Sequence, residues 1–205
     1  MKKLFGTDGI RGVANRELTP ELALRIGKIT ASLLGRGEKQ PLILIGRDTR
    51  LSGAMLEGSL VAGIASAGAT ARLLGIAPTP AVAYLTRSLQ AAAGIVISAS
   101  HNPIEDNGLK IFNREGLKLP DELEREIERI YFHYDELGAG LPRPEGTAVG
   151  GVQHDGELLE SYLQYLKSTA ASLEGLRLVV DCGHGAACYS ARVLLEQLGA
   201  EVVIM

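Results

Sequence analysis

Tryptophan is absent from this 205-residue sequence, and aromatic residues make up only 4% of it. Few flat rings are therefore available to stack on exposed bases. An excess of one charge is also missing, with 21 Lys and Arg against 24 Asp and Glu and a formal net charge of -3. That balance argues against a general attraction to nucleic acid or to an acidic membrane surface. Only two cysteines occur, Cys182 and Cys188. They form no CxxC pair and have no second cluster with which to complete a zinc site, so a reduced setting is the simplest reading. No apolar run is long enough to cross a bilayer, and the opening MKKLFGTDGIRG has no apolar core of signal-peptide length. The expected location, by elimination, is cytoplasmic.

What is present fits an ordinary globular chain, with 46% hydrophobic and 22% charged residues. The length allows one large domain or two small ones and a substantial core. Thr19-Pro20-Glu21 reads as a helix start, with Thr19 as cap and Pro20 in the first turn. Leu22, Ile26, Ile29 and Leu33 then recur at helical spacing. Residues 42–45 (LILI) read as a buried strand. Ser52 is expected to cap a second helix running through Leu56, Leu60 and Ile64. Further strands are expected at 70–74, 94–98 and 109–112, with a short helix near 82–89. Pro120 opens a charged helix with Leu123, Ile127 and Ile130 on one face.

Residues 138–151 (GAGLPRPEGTAVGG) are rich in Gly and Pro and read as a boundary between domains of residues 1–148 and 149–205. After it come a helix over 155–172, a strand at 176–181, a helix over 186–198 and a strand at 201–204. One βαβ unit is too small to bury a core of its own, so the chain is expected to stop inside its second domain. The expected fold class is α/β: a mixed, largely parallel sheet sandwiched by helices, followed by the first βαβ unit of a similar second domain.

The segment richest in chemistry is 94–112, GIVISASHNPIEDNGLKIF. An apolar strand runs into Ser98, Ala99, Ser100, His101, Asn102 and Pro103. Ligands of open α/β sheets bind at the carboxyl ends of strands. Small residues around Ser100 leave room for a phosphate, and His101 and Asn102 can donate hydrogen bonds to its oxygens. After a turn at Asp106-Asn107-Gly108, a returning strand would bring the Lys110 ammonium toward the same loop, to hold phosphate or exchange a proton. The alternative is that Asn-Pro and Asp-Asn-Gly are ordinary turn signals. Gly183-His184-Gly185 lacks the third glycine of a dinucleotide fingerprint and reads as a strand-to-helix turn.

SASHNP followed by DNGLK resembles the phosphoserine signature of the α-D-phosphohexomutase superfamily. LFGTDGIRG, GRDTRLSG and VVDCGHGAA resemble three further segments of that family, in the same order. The pairing of GTDGIRG with SASHNPxxDNG is most similar to the branch that interconverts glucosamine 6-phosphate and glucosamine 1-phosphate. The phosphomannomutase/phosphoglucomutase branch is the alternative, and a non-catalytic phosphosugar-binding module is another. The resemblance implies a phosphohexomutase first domain, a hexosamine phosphate substrate and a 1,6-bisphosphate intermediate. It implies that Ser100 carries the transferred phosphoryl group, with Arg11 facing it and Lys110 as general acid or base. His101 joins the catalytic set, and Thr7, Asp8, Asn102 and Arg47 the phosphate-loop set. Arg47, Asp48 and Arg50 are expected to brace the serine loop. The implied cofactor is Mg2+, held by the Ser100 phosphate and three aspartates of a DGDxDR-type loop. No DGDxDR occurs here, so those aspartates are expected beyond residue 205 and residues 1–205 alone are expected to be inactive. A homodimer is carried as one option for assembly.

Overall fold

The computed structural model describes residues 3–205. In chain order the elements begin with β1 (Ile10–Val13), α1 (Pro20–Leu34), β2 (Leu42–Arg47), α2 (Ser52–Ser66) and β3 (Thr70–Ile76). Next come α3 (Thr79–Ser88), β4 (Ala93–Ile97), β5 (Asp106–Phe112), α4 (Asp121–Phe132) and the short α5 (Tyr134–Leu137). The chain continues through β6 (Val152–His154), α6 (Leu158–Thr169), β7 (Arg177–Val180), α7 (Ser190–Gln197) and β8 (Glu201–Ile204).

Six strands form one mixed sheet in the order β1-β5-β4-β2-β3-β6. Strands β4, β2, β3 and β6 pair in parallel, and β5 runs antiparallel to both β4 and β1. Side chains alternate between the two faces. Ile43, Ile45, Ile95 and Ile97 join the core formed with α1, α2 and α4, whereas Leu44 and Val96 join Val82 and Leu85 of α3. Both faces are covered, which is why the central strands read as continuous apolar runs. A separate parallel pair, β7-β8, is connected through α7. The expected α/β class with a largely parallel sheet between helices is the one observed.

Thr19 caps α1 as expected, accepting the Leu22 N–H at 3.2 Å. Ser52 does not cap α2; the cap position is Leu51, and the Ser52 hydroxyl accepts from Asn107 Nδ2 at 2.9 Å. Asn107 is fully buried, so its amide needs an internal partner, and that demand takes the hydroxyl. Asp106-Asn107-Gly108, read as a turn, are strand residues instead. They pair with Val13, Gly12 and Arg11 of β1, a short strand that apolar patterning does not reveal.

The Gly- and Pro-rich stretch at 138–151 leads to a strand that joins the larger sheet, where β6 pairs with the outer edge of β3. Helix α6, shorter than expected, packs on α3, with Tyr84 and Tyr165 stacked at 4.4 Å and Tyr162 buried. Residues 152–169 therefore pack against the first sheet, and α6 also meets α7 through Leu194. The reason is geometric: β3 and the outer face of α3 offer an open edge and an apolar surface that a three-residue strand and one helix cover.

Candidate functional site

Strands β2 and β4 are neighbours, and their carboxyl ends lie side by side. The Asp48 N–H donates to the Ile97 carbonyl at 3.0 Å, linking the residue that follows β2 to the last residue of β4. Adjacent carboxyl ends in a parallel sheet form the crevice where such folds bind ligands. Asp48 is buried at 5% exposure. Its carboxylate accepts from Ser98 Oγ at 2.7 Å, from the Arg50 N–H at 3.0 Å and from Arg50 Nε at 3.2 Å. Ser98 Oγ in turn accepts the Ser100 N–H at 3.0 Å.

Ser100 is exposed and takes a left-handed backbone, φ 59. A non-glycine residue there carries strain of about 1–3 kcal/mol, which persists only where the surroundings enforce it. Arg50 is the enforcing group. Its Nη2 donates to the carbonyls of Ser100 (3.0 Å) and Asn102 (2.8 Å), and its Nη1 to those of Pro103 (2.6 Å) and Asp106 (3.1 Å). With Nε on Asp48, the donors of the whole guanidinium fork are engaged.

Around this loop the structure gathers most of the residues named from sequence. His101 Nδ1 lies 3.4 Å from Ser100 Oγ. Asn102 donates to Asp106 Oδ2 at 2.9 Å and accepts from Arg11 Nη1 at 3.4 Å. Arg11 and Lys110 share one carboxylate oxygen of Asp8, at 2.5 and 2.8 Å. The hydrogen bond from Lys110 is the chief reason that the Asp8 carboxyl lies below its ordinary range; partial burial opposes the shift, and the Arg11 charge adds to it. Asp8 thus stays ionised and holds two cations together beside the loop.

The segment carrying Asp8 is fixed at its start, where Glu128 of α4 accepts the Leu4 and Phe5 N–H groups, both at 2.7 Å. Gly9, at φ 85, lies so close to the Leu109 carbonyl that a Cβ would overlap it, so only glycine permits this crossing of β5. Thr7 is exposed in the same turn, lining an open cleft with Asp8 and Arg11. Arg47 is not brought to the loop in the same way: its Nε pairs with Glu57 of α2 at 3.2 Å. As the last residue of β2 it leaves on the α2 side, and Arg50, three residues on, is the arginine that reaches the serine loop. The available signal was the Asp-x-Arg spacing, which closes an Asx turn through the Arg50 N–H.

Elsewhere, Cys182 and Cys188 are free. The turn at 183–185 is held by the Gly183 N–H on Asp181 Oδ1 at 2.8 Å, and the Thr49 hydroxyl donates to the His184 carbonyl. Among the described residues, no group of three or more His, Cys, Asp and Glu is arranged to hold a metal ion. A cavity of about 790 Å³ lies near Arg36 and Arg143, and the serine-loop residues do not line it.

Fold and site together define an α/β/α domain that presents a braced serine loop at the carboxyl end of its sheet. Residues 2–138 match the family model described as phosphoglucomutase/phosphomannomutase, alpha/beta/alpha domain I, and the chain belongs to that family. It is 52% identical over 204 residues to a phosphoglucosamine mutase of Desulforamulus reducens and 54% identical over 204 residues to one of Pelotomaculum thermopropionicum. Each alignment covers 99% of this chain and 45% of the relative, so the chain spans somewhat less than half the length of these curated relatives. Among solved structures, a phosphoglucomutase/phosphomannomutase family protein of Burkholderia thailandensis superposes with a TM-score of 0.81 at 26% identity. That match covers 98% of this chain and 43% of the other.

Proposed function

We propose that this chain carries the phosphoserine of a mutase interconverting glucosamine 6-phosphate and glucosamine 1-phosphate. The observation that carries the reading is Ser100: an exposed hydroxyl at the end of a buried strand, held in a strained backbone by a dedicated arginine. The relatives that are 52% and 54% identical and are named phosphoglucosamine mutase support the amino sugar over glucose or mannose.

In this reading the phosphoryl group on Ser100 passes to the free hydroxyl of the bound hexose phosphate. The serine P–O bond breaks, the sugar P–O bond forms, the sugar hydroxyl proton leaves to a base at the site, and the freed Ser100 oxygen takes a proton from an acid there. The resulting 1,6-bisphosphate reorients, and its other phosphoryl group returns to Ser100. His101, 3.4 Å from the serine oxygen, and Lys110, braced by Asp8, are the proton carriers. Arg11 contributes positive charge and paired donors for a phosphate. Thr7 and Asn102 complete the polar wall of the loop.

Mg2+ is the proposed cofactor, and its chemistry would be to neutralise charge on the transferring phosphoryl group. Within this chain the fit extends to a single ligand, an oxygen of the Ser100 phosphate. Asp48 is committed to Ser98 and Arg50, Asp106 gives one oxygen to Asn102, and no cluster of carboxylates gathers for a cation among the described residues. No helix among the described residues is long and apolar enough to cross a membrane. A sugar phosphate substrate and free cysteines favour the cytoplasm as the place of action. Two separate sheets support a two-unit organisation, the first unit bearing the serine loop.

The test is direct. The full-length protein purified from cells is expected to carry one added phosphate by intact-mass analysis, and Ser100→Ala is expected to lose both that phosphate and mutase turnover. Undiminished turnover in Ser100→Ala would defeat the assignment. Side-by-side turnover of glucosamine, glucose and mannose phosphates decides the sugar.

A further inference from the structure

Arg50 holds the serine loop by carbonyls alone, and that has a consequence for the amides of the loop. A trans peptide unit is planar, so the N–H that follows a carbonyl points the opposite way. With the Ser100 and Pro103 carbonyls drawn onto Arg50, the His101 and Ile104 N–H groups face away from the guanidinium. Neither N–H has a hydrogen-bond acceptor among the described residues. The His101 N–H directly follows the Ser100 carbonyl, on the side of the loop opposite the brace. Arg50 itself is mostly buried, its side chain 11% exposed, and every donor it has is engaged within the protein. It has no donor left with which to bind a substrate directly.

We propose that Arg50 is a positioning residue for phosphoryl transfer. By gathering four loop carbonyls it keeps Ser100 in its left-handed conformation and turns the His101 N–H outward as a donor to phosphate on the serine. The proposal rests on the function put forward above. Lysine has three donors on a point-like ammonium and does not reproduce a planar five-donor fork. Loss of alignment at a reacting centre by about 1 Å can cost on the order of 100-fold in rate.

The experiment uses the full-length enzyme as wild type, Arg50→Lys and Arg50→Ala. Steady-state kinetics are read beside thermal unfolding and the 31P resonance of the phosphoserine. In both variants kcat is expected to fall by about 100-fold with KM little changed, and the 31P resonance is expected to shift. Guanidinium added at non-denaturing concentration is expected to restore part of the kcat of Arg50→Ala, because it can refill the vacated site. If Arg50→Ala fails to fold, Arg50→Lys decides through its kcat and KM. Wild-type kcat in Arg50→Lys would overturn the proposal. So would a loss of activity that merely follows unfolding, without a 31P shift or guanidinium rescue. A wild-type enzyme with no phosphate on Ser100 would instead overturn the function on which the proposal rests, a result readable before any Arg50 variant is made.

Discussion

Ser100 combines two properties that selection for stability alone would separate: an exposed hydroxyl and a left-handed backbone. Glycine adopts that backbone without the steric cost that a Cβ brings. Ser100→Gly and Ser100→Ala both delete the hydroxyl, but only the first also relieves the strain. Ser100→Gly is expected to be more stable than Ser100→Ala by about 1 kcal/mol in denaturant unfolding. Equal stability would mean that the loop does not hold residue 100 in this conformation. The same scale shows what motif reading could reach. Ser100, His101, Asn102, Lys110, Arg11 and Asp8 all converge, because each lies in a contiguous run whose spacing already implies a loop or a strand end. Arg47 and Arg50 could not be ranked in that way. Which of two nearby arginines meets the loop depends on the direction in which the chain leaves β2.

Among the elements, α1 and α2 approach most closely where Gly27 faces Leu60 and Gly63 faces Leu24. A Cβ on Gly63 would overlap the Leu24 carbonyl, and backbone cannot move aside as a side chain can. Gly63→Ala is therefore expected to push the two helices apart and to cost about 1–3 kcal/mol, measured by denaturant unfolding. Little or no destabilisation would show that the helix pair can slide without loss. These helices back the face of the sheet that carries Ile43, Ile45, Ile95 and Ile97, so their spacing bears on the strand ends that present Asp48 and Ser98. Helices were legible from apolar spacing and from the Thr19 cap, although α6 and α7 are shorter than the 155–172 and 186–198 expected. Strand β1 was not, because four residues containing Arg and Gly carry no alternating pattern. Its existence follows from the partner it finds in β5.

On the scale of the whole molecule, β6 and α6 pack on the first sheet and α3, while α6 also meets α7 through Leu194, so packing runs on past the Gly- and Pro-rich stretch. Residues 1–170 are expected to unfold at a higher temperature than residues 1–150. The shorter piece loses β6, and it exposes the edge of β3 and the apolar face of α3 around Tyr84. Equal melting temperatures would show that β6 and α6 add nothing to the first unit. The family match ends at residue 138, whereas β6 and α6, which follow it, still pack on β3 and α3.

Most local order was determined by the sequence alone. Apart from β1, β6 and the start of β5, strand and helix positions follow from apolar periodicity, which reflects burial on one face or two. The serine loop follows from a contiguous run of small and polar residues after an apolar strand. What only the tertiary structure decided is how distant pieces complete one another: Glu128 holding residues 4 and 5, Asn107 claiming Ser52, β6 joining β3, and Arg50 binding carbonyls at least 50 residues away in the chain. The physical reason is that these contacts are made by backbone groups and single polar side chains. Their partners are chosen by where the sheet brings chain segments together, and a backbone carbonyl has no signature in the order of the residues.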